Sequence, residues 1–379
     1  MTDGQLAVIG VGSIGSMALW QASQLSRSVV GFEAESPGHS RSAVGGDTRL
    51  FRMTYRGEKN YYPILQRSRD LWRELEAESS QSILTQCGGL SIGSPDESYV
   101  PQLLESIQRT GAPHEILDQA QMAQRYPQHN LREGECAVFD PQAGFLRTDR
   151  AVLSALDVAQ SNGATIMRHT AVEEIREVGD GVIVSSGTSS WTFDRVIVAG
   201  GGWSTSLLPN GLRRWVRPRR SYLTWFAARD AAQFVPERFP IFIRISGDRS
   251  LYGAPTVDSV TVKATLDGRS SATADAASVQ RELTPEEIAE TADTVAEFLP
   301  GLIPDIVRSD AYPDLFTDDE AALLGTVSSN PRVYYATGFS GTGFKMSSAF
   351  GAMAAREALG GFEEPGFEFL RPDRFSHER

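Results

Sequence analysis

QLAVIGVGSIGSMALWQASQLSRSVVGFE, residues 5–33, decides the fold. Gln5 to Ile9 is a short apolar run and reads as a buried strand. Gly10-Val11-Gly12-Ser13-Ile14-Gly15 follows at once. Ser16 to Leu25 places apolar residues at helical spacing, and Val29 to Phe32 reads as a second strand ending in Glu33. Strand, glycine turn, helix, strand and acid together form the dinucleotide fingerprint in its expected context. Gly10 allows the tight turn, Gly12 lets the backbone approach a pyrophosphate, and Gly15 lets the helix pack close to the strand. The helix N-terminus offers free N–H groups and a partial positive charge to phosphates. Glu33, eighteen residues beyond Gly15, is placed to accept from both hydroxyls of an adenosine ribose. An acid there disfavours a 2′-phosphate, so FAD or NAD is expected rather than NADP.

The rest of the composition narrows the class. A chain of 379 residues buries roughly three quarters of its unfolded surface, enough for one large domain or two interleaved ones. The net charge of −12 argues against a nucleic-acid or anionic-membrane surface. Cys87 and Cys136 form neither a CxxC nor a metal spacing, so no metal site or disulfide framework is expected. The apolar start runs straight into a glycine turn and lacks a basic leader, which reads as a strand and not a signal peptide. No stretch reaches the roughly 18 apolar residues of a membrane span. A cytoplasmic protein is expected, as a monomer or small homo-oligomer.

Further along, a polar loop (Ser36–Gly46) leads into Asp47-Thr48-Arg49-Leu50-Phe51-Arg52. Amphipathic spacing predicts helices over 62–78, 100–109 and 119–125, the last capped by Asp118. Cys136 to Leu146 reads as a hairpin around Pro141, and Thr148 or Asp149 as the cap of a helix running to Asn162. Thr165 to His169 reads as a strand, Val172 starts another, and 182–185 with 191–193 read as a hairpin. Arg195 to Ala199 is a buried strand ending in Gly200-Gly201-Gly202-Trp203, a second turn where backbone approaches a cofactor. Strands over 222–227, 240–245, 251–253 and 259–265 predict an antiparallel sheet. Thr284-Pro285-Glu286-Glu287 is a capping box with Pro at the first helical position. A strand over 332–337 leads into Gly338-Phe339-Ser340-Gly341-Thr342-Gly343-Phe344-Lys345. A small-residue helix follows from Met346 to Leu359, stopped by Gly360 and Gly361. That last turn aims helix N–H groups at a site. A flavin needs such a group, because its pyrimidine end gains negative charge on two-electron reduction.

With these stretches in hand, the chain resembles the flavin amine oxidases of the D-amino-acid oxidase superfamily, nearest the monomeric sarcosine oxidase and N-methyltryptophan oxidase branch. VIGVGSIG with Glu33, GGDTRLFR, the AGGGW turn, LYGAP followed by VTVKAT, and GFSGTGFKMSS carry the resemblance, which covers nearly the whole chain. It implies an α/β fold of α+β two-domain type: a Rossmann-like FAD-binding domain (1–82, 141–215 and 306–379) with an inserted antiparallel-sheet substrate domain (83–140 and 216–305). Gly10, Gly12, Ser13, Ile14, Gly15, Glu33 and Ala34 would hold the ADP half of FAD. Ser42, Ala43 and Thr48 would lie beside pyrophosphate or flavin. Val172 would contact the adenine side by backbone, with Gly200, Gly201 and Trp203 near the cofactor. Gly341, Thr342, Gly343, Phe344 and Lys345 would face the flavin pyrimidine. Arg52 and Lys345 match positions that bind the substrate carboxylate, for which a planar fork and a point charge are the fitting groups. Lys263 matches the lysine that sits at the flavin through a water and promotes its reaction with oxygen. Arg49 matches a basic residue near the ring.

The chain departs from that pattern at four positions. The place of the flavin-linking cysteine falls at Tyr312, so FAD is expected to be non-covalent. Histidines of the relatives are replaced by Gly45, Asp267 and Thr342. The pocket thus loses imidazoles and gains a carboxylate, which points away from sarcosine itself towards a bulkier, cyclic or otherwise modified amino acid. Arg244, Trp225 and Tyr252 lie on strands expected to floor the pocket. His39 and His169 read as polar residues of a loop and a strand. The expected reaction is oxidation of the C–N bond of a secondary or N-modified amino acid, bound as the neutral amine, giving an imine and hydrogen peroxide. Amino acid and dioxygen are the partners. A dehydrogenase with another electron acceptor, an NAD(P)H-dependent hydroxylase of the same fold and a non-catalytic binding protein remain the alternatives.

Overall fold

The structure is a computed structural model and describes residues 2–57, 59–360 and 365–377. Gly4–Ile9 is the first strand, Ser13–Leu25 the helix and Val29–Phe32 the second strand, with Leu6 opposite Val29 in a parallel ladder. The turn between them depends on glycine. Gly10 sits at φ +82°, and a Cβ on Gly15 would fall 1.8 Å from the Gly10 carbonyl oxygen. Only a residue without a side chain lets the helix settle that close. The helix is buried on every side because helices Thr148–Ser161 and Ser347–Gly360 flank it. Gly361, the second glycine of the expected stop, lies outside the described residues.

The fold is the expected α/β combination of two large sheets. One has eight strands. Along its main path Glu174–Val178, Gly181–Ser186, Ser189–Val198, Gly4–Ile9, Val29–Phe32 and Thr165–Met167 lie side by side. Asn330–Thr337 joins Ser189–Val198 in parallel, and Leu323–Val327 pairs with it antiparallel. The strand at Thr165–Met167 stops short of His169, which sits in the following turn at φ +53°. The other sheet has nine strands and is antiparallel except where Ile241–Ser246 runs parallel to Gly89–Gly93. It is built around Val216–Ala228, Thr261–Leu266, Arg249–Ala254 and Ile241–Ser246. The capping box at Thr284 and the cap at Asp118 form as the sequence predicts, and Gln121 completes a box with Asp118 beyond the cap expected there.

Three local expectations are corrected. Cys136–Asp140 and Gly144–Arg147 are strands but not a hairpin: the first joins the nine-stranded sheet, the second a small sheet with Thr48–Phe51 and Leu84–Thr85. The buried Asp140 fixes that divergence by accepting from the N–H groups of Met53 (2.7 Å), Thr54 (3.0 Å) and Gln142 (2.9 Å). Thr148 does not cap its helix but is already helical, and its N–H donates to the Asp47 carbonyl (3.1 Å). Finally, Leu302–Thr317 is one long strand paired with Val216–Ala228, so the boundary expected between 305 and 306 falls inside it.

Candidate active site

The two large sheets meet at a cavity of about 1090 Å³. Its wall includes Gly10, Gly12, Ser13, Ile14, Glu33, Ala34, Ser42, Ala43, Thr48, Arg49, Val172, Gly200, Gly201 and Trp203. It continues to Arg52, Tyr252, Lys263 and the run Gly341–Lys345, so residues some three hundred positions apart share one space. Gly15, Arg244 and Trp225 are the sequence candidates that do not line it. Gly15 acts from behind, in the packing of the turn.

At the fingerprint end, Glu33 is buried and fixed: its carboxylate accepts from the N–H groups of Val11 (3.2 Å) and Glu35 (3.1 Å). The helix Ser13–Leu25 begins at Gly12 with no side-chain cap and no acid in its first turn, so its N-terminal N–H groups and positive dipole end stay uncovered. A Cβ on Gly12 would meet nothing nearer than Val44 at 3.9 Å, which leaves the backbone open to the cavity. His39, read from sequence as a bland loop residue, also lines the wall, 3.8 Å from Glu33 and edge-on to Trp203.

At the far end, cations converge. Arg49 donates to the carbonyls of Ala43 (2.7 Å) and Thr48 (2.8 Å) and lies 5.9 Å from the Tyr312 ring centre. Burial pulls it below the ordinary arginine value. Lys263 is 2 % exposed, and its Nζ donates to the carbonyls of Gly46 and Thr48, both at 2.6 Å. Burial first, and the charge of Arg49 second, push its pKa well below that of a free lysine. Lys345 Nζ donates to the Thr342 carbonyl at 3.3 Å and stands 5.2 Å from the Tyr55 ring centre. Its removal from water, with Arg52 as a second cause, lowers its pKa to about 7, against an opposing pull from Asp267. The Arg52 guanidinium also faces Tyr55, at 5.8 Å, and no carboxylate among the described residues pairs with it. Two cations that no carboxylate among the described residues pairs with, side by side in one cavity, constitute a site for an anion.

Two floor residues expected from sequence stand elsewhere, Arg244 because of its strand phase. Ile243 is the register partner of Tyr252, and both face the cavity. Arg244 therefore points to the opposite side of the sheet, fully buried, paired with Glu135 at 2.5 Å and stacked 3.7 Å from the Phe298 ring centre. Trp225 is the register partner of Lys263 on the same face of the sheet, 5.3 Å from its ammonium nitrogen, but it is buried with the Arg308 guanidinium 3.8 Å from its ring centre and does not line the cavity. The turn at Gly341 also holds a surprise. Asp314 accepts from the Gly341 N–H at 2.8 Å, and Thr342 N–H goes to the Phe339 carbonyl at 2.9 Å. The uncovered N–H groups of this helix end therefore begin further on. Burial raises the Asp314 pKa.

Comparison with known proteins matches residues 5–357 to the family described as FAD dependent oxidoreductase (DAO). The chain belongs to that family. Among curated relatives of this FAD dependent oxidoreductase, the monomeric sarcosine oxidase of Streptomyces avermitilis is 29 % identical over 359 residues, 93 % of each chain. The N-methyl-L-tryptophan oxidase of Yersinia pestis is 28 % identical, over 93 % of this chain and 94 % of its own. Among solved structures, the open form of NikD, an unusual amino acid oxidase essential for nikkomycin biosynthesis, superposes with a TM-score of 0.87 at 18 % identity over 98 % of both chains. Glycine oxidase from Geobacillus kaustophilus gives 0.82 at 18 % identity over 99 % of both. At that identity the superpositions speak for the fold.

The residues present fit FAD. The open backbone at Gly12, the uncapped helix end and the buried Glu33 suit an ADP moiety, and the cavity continues from there to a second helix end. No helix among the described residues is long and apolar enough to cross a membrane.

Proposed function

We propose that this FAD-dependent oxidoreductase oxidises the C–N bond of an amino acid, of secondary or N-modified type, to an imine and releases hydrogen peroxide. The observation that carries the reading is the pair Arg52 and Lys345, two cations without a carboxylate partner facing one aromatic ring in the cavity that also contains Lys263. The names of the curated relatives support it. When bound, FAD supplies the two-electron acceptor for substrate and the donor for dioxygen. Gly10, Gly12, Ser13, Glu33 and Ala34 would hold its ADP half, and the Gly341–Lys345 turn its far end. Tyr312 in place of a linking cysteine makes the attachment non-covalent.

Arg52 grips a substrate carboxylate through its fork, and Lys345 adds a point charge beside it. That anchor orients the carbon next to nitrogen, and Tyr252 and Ile243 exclude water behind it. Lys263, held by the carbonyls of Gly46 and Thr48, sets a positive group beside the place where negative charge develops. It thereby favours electron transfer to oxygen. Arg49, locked on Ala43 and Thr48, keeps a fixed positive charge in the same wall.

The test is peroxide release from a panel of N-methyl, cyclic and otherwise N-modified amino acids, with reoxidation by air followed in stopped flow. Peroxide with at least one of them, and fast reoxidation, is expected. Anaerobic bleaching with slow reoxidation by air sinks the oxidase and leaves a dehydrogenase.

A further inference from the structure

Asp267 stands on the same wall as Lys263. Lys263 lies within the Thr261–Leu266 strand and Asp267 in the turn that follows it, and both line the cavity. Its main chain is pinned to the neighbouring strand: its N–H donates to the Ser250 carbonyl (3.2 Å), and its carbonyl accepts from the Ser250 hydroxyl (2.8 Å). Its carboxylate has no such tie. Among the described residues it makes neither an ion pair nor a side-chain hydrogen bond, although basic side chains are plentiful around the cavity. Arg269, two residues on, is occupied by Glu290. Asp267 is only partly exposed and lines the cavity. Its charge is felt by Lys345, Tyr55 and Tyr252, which line the same space.

The cavity is therefore bipolar. Arg52 and Lys345 form its positive side without a carboxylate partner, and Asp267 forms a negative side without a cation. A lone half-buried carboxylate facing a cavity is unfavourable unless a cation comes to it. The two sides have not collapsed onto each other as a salt bridge, which leaves room for a molecule carrying both charges. A zwitterion satisfies all three groups at once. A plain carboxylic acid satisfies only the arginine and lysine and leaves Asp267 facing an apolar group.

We infer that Asp267 binds the cationic nitrogen of the substrate, opposite the carboxylate anchor of Arg52 and Lys345, so that the site selects amino acids as zwitterions over carboxylates without a charged nitrogen. The inference rests on the amino-acid reading above and deepens it. It replaces docking of the neutral amine, expected from sequence, by docking of the ammonium, which gives one proton to the Asp267 carboxylate before the C–N bond is oxidised. N-acylated amino acids, whose nitrogen carries no charge, fall outside the substrate class.

Two probes of one shape test it. Trimethylglycine carries a carboxylate and a fixed positive nitrogen, and it has no lone pair with which to react. In 3,3-dimethylbutanoate a neutral carbon replaces that nitrogen. Each is titrated into the FAD-loaded enzyme and followed by the change in visible flavin absorbance. The wild type is expected to bind trimethylglycine about tenfold more tightly, the effect of one close opposite charge in a half-buried site. Asp267→Asn should abolish that preference and bind 3,3-dimethylbutanoate as well as before or better. Asp267→Glu, which keeps the charge, should retain part of the preference. Equal binding of the two probes by the wild type, binding of neither, or a preference that survives Asp267→Asn overturns the proposal. If Asp267→Asn fails to load flavin, the wild-type ratio and Asp267→Glu decide. An enzyme bleached anaerobically by an amino acid but without the wild-type preference loses the role of Asp267 and keeps the oxidation reading. One with the preference that no amino acid bleaches keeps Asp267 and loses the oxidation reading.

Discussion

Tyr312 occupies the space that a side chain at residue 45 would need: a Cβ built on Gly45 falls 2.2 Å from Tyr312 Cε1. The ring is 5 % exposed and lies between the guanidinium groups of Arg49 and Arg281, at 5.9 and 5.7 Å. Gly45 and Tyr312, the positions where the resemblance implies a histidine and a cysteine, are thus one packing solution. Gly45→Ala forces the ring out of this slot. Overpacking of this kind costs about 1–3 kcal/mol, a fall in Tm of a few degrees. Gly45→Ala combined with Tyr312→Cys should recover only part of it, because the Cβ would still fall 2.8 Å from the Ser40 carbonyl oxygen. A differential scan showing no loss in the single variant contradicts the packing described.

The same ring bears on the cofactor. A phenol offers no thiolate for attachment, and Cys87 and Cys136 lie outside the lining of the cavity. Acid precipitation of the holoprotein should release all of the yellow colour into the supernatant. Colour retained in the pellet refutes non-covalent binding.

Lys345 makes the carboxylate anchor sensitive to pH. Its pKa is lowered to about 7, so it is cationic below that pH and loses its charge as pH rises through it. An anion prefers the cationic form. The Kd of 3,3-dimethylbutanoate, a carboxylate ionised throughout pH 6–9, should therefore rise with pH above about 7, towards tenfold per unit. Lys345→Met should bind more weakly and show a flat profile. A wild-type profile that is itself flat removes Lys345 from the anchor.

Arg244 provides the contrast, because its partner is Glu135 and not a substrate. Removing one member of a buried pair leaves the other uncompensated, which costs about 3–5 kcal/mol. Arg244→Met should lower Tm strongly, while the folded fraction keeps its KM within about twofold. Adding Glu135→Gln should restore part of the stability. A large rise in KM at unchanged Tm would return Arg244 to the pocket.

These cases show which features sequence can carry. The fingerprint is local: glycine spacing, helix start and acid all lie within residues 5–33, and each is forced by backbone sterics or by the helix end. The late GFSGTGFK turn is local in the same sense. Strand phase is different. Alternation says that Ile243 and Arg244 face opposite sides, but the pairing of Ile243 with Tyr252 is needed to say which side is the cavity. The long strand Leu302–Thr317 was hidden by Pro304 and Pro313, which are tolerated because it pairs only with Val216–Ala228 and so forms an edge. Tyr55 and Asp314 gave no periodic signal at all. One sits in an irregular loop, and the other earns its place through a backbone N–H twenty-seven residues away.

Lys263 carries the last prediction. Its ammonium nitrogen is held 2.6 Å from the carbonyls of both Gly46 and Thr48, so its position is fixed by the GGDTR segment and not by a substrate contact. A group placed this way should matter little for substrate oxidation and much for the step in which electrons and protons reach oxygen. Lys263→Met keeps the length and the apolar body of the side chain and removes the charge. Anaerobic reduction by substrate should stay within about threefold, while reoxidation by air should slow by about 10²–10³-fold, the usual loss when one preorganised electrostatic contact is deleted. Lys263→Arg restores a charge but not the compact ammonium, so only partial recovery is expected. If Lys263→Met instead blocks anaerobic reduction and leaves reoxidation fast, the lysine acts on the substrate and its assignment to oxygen is wrong.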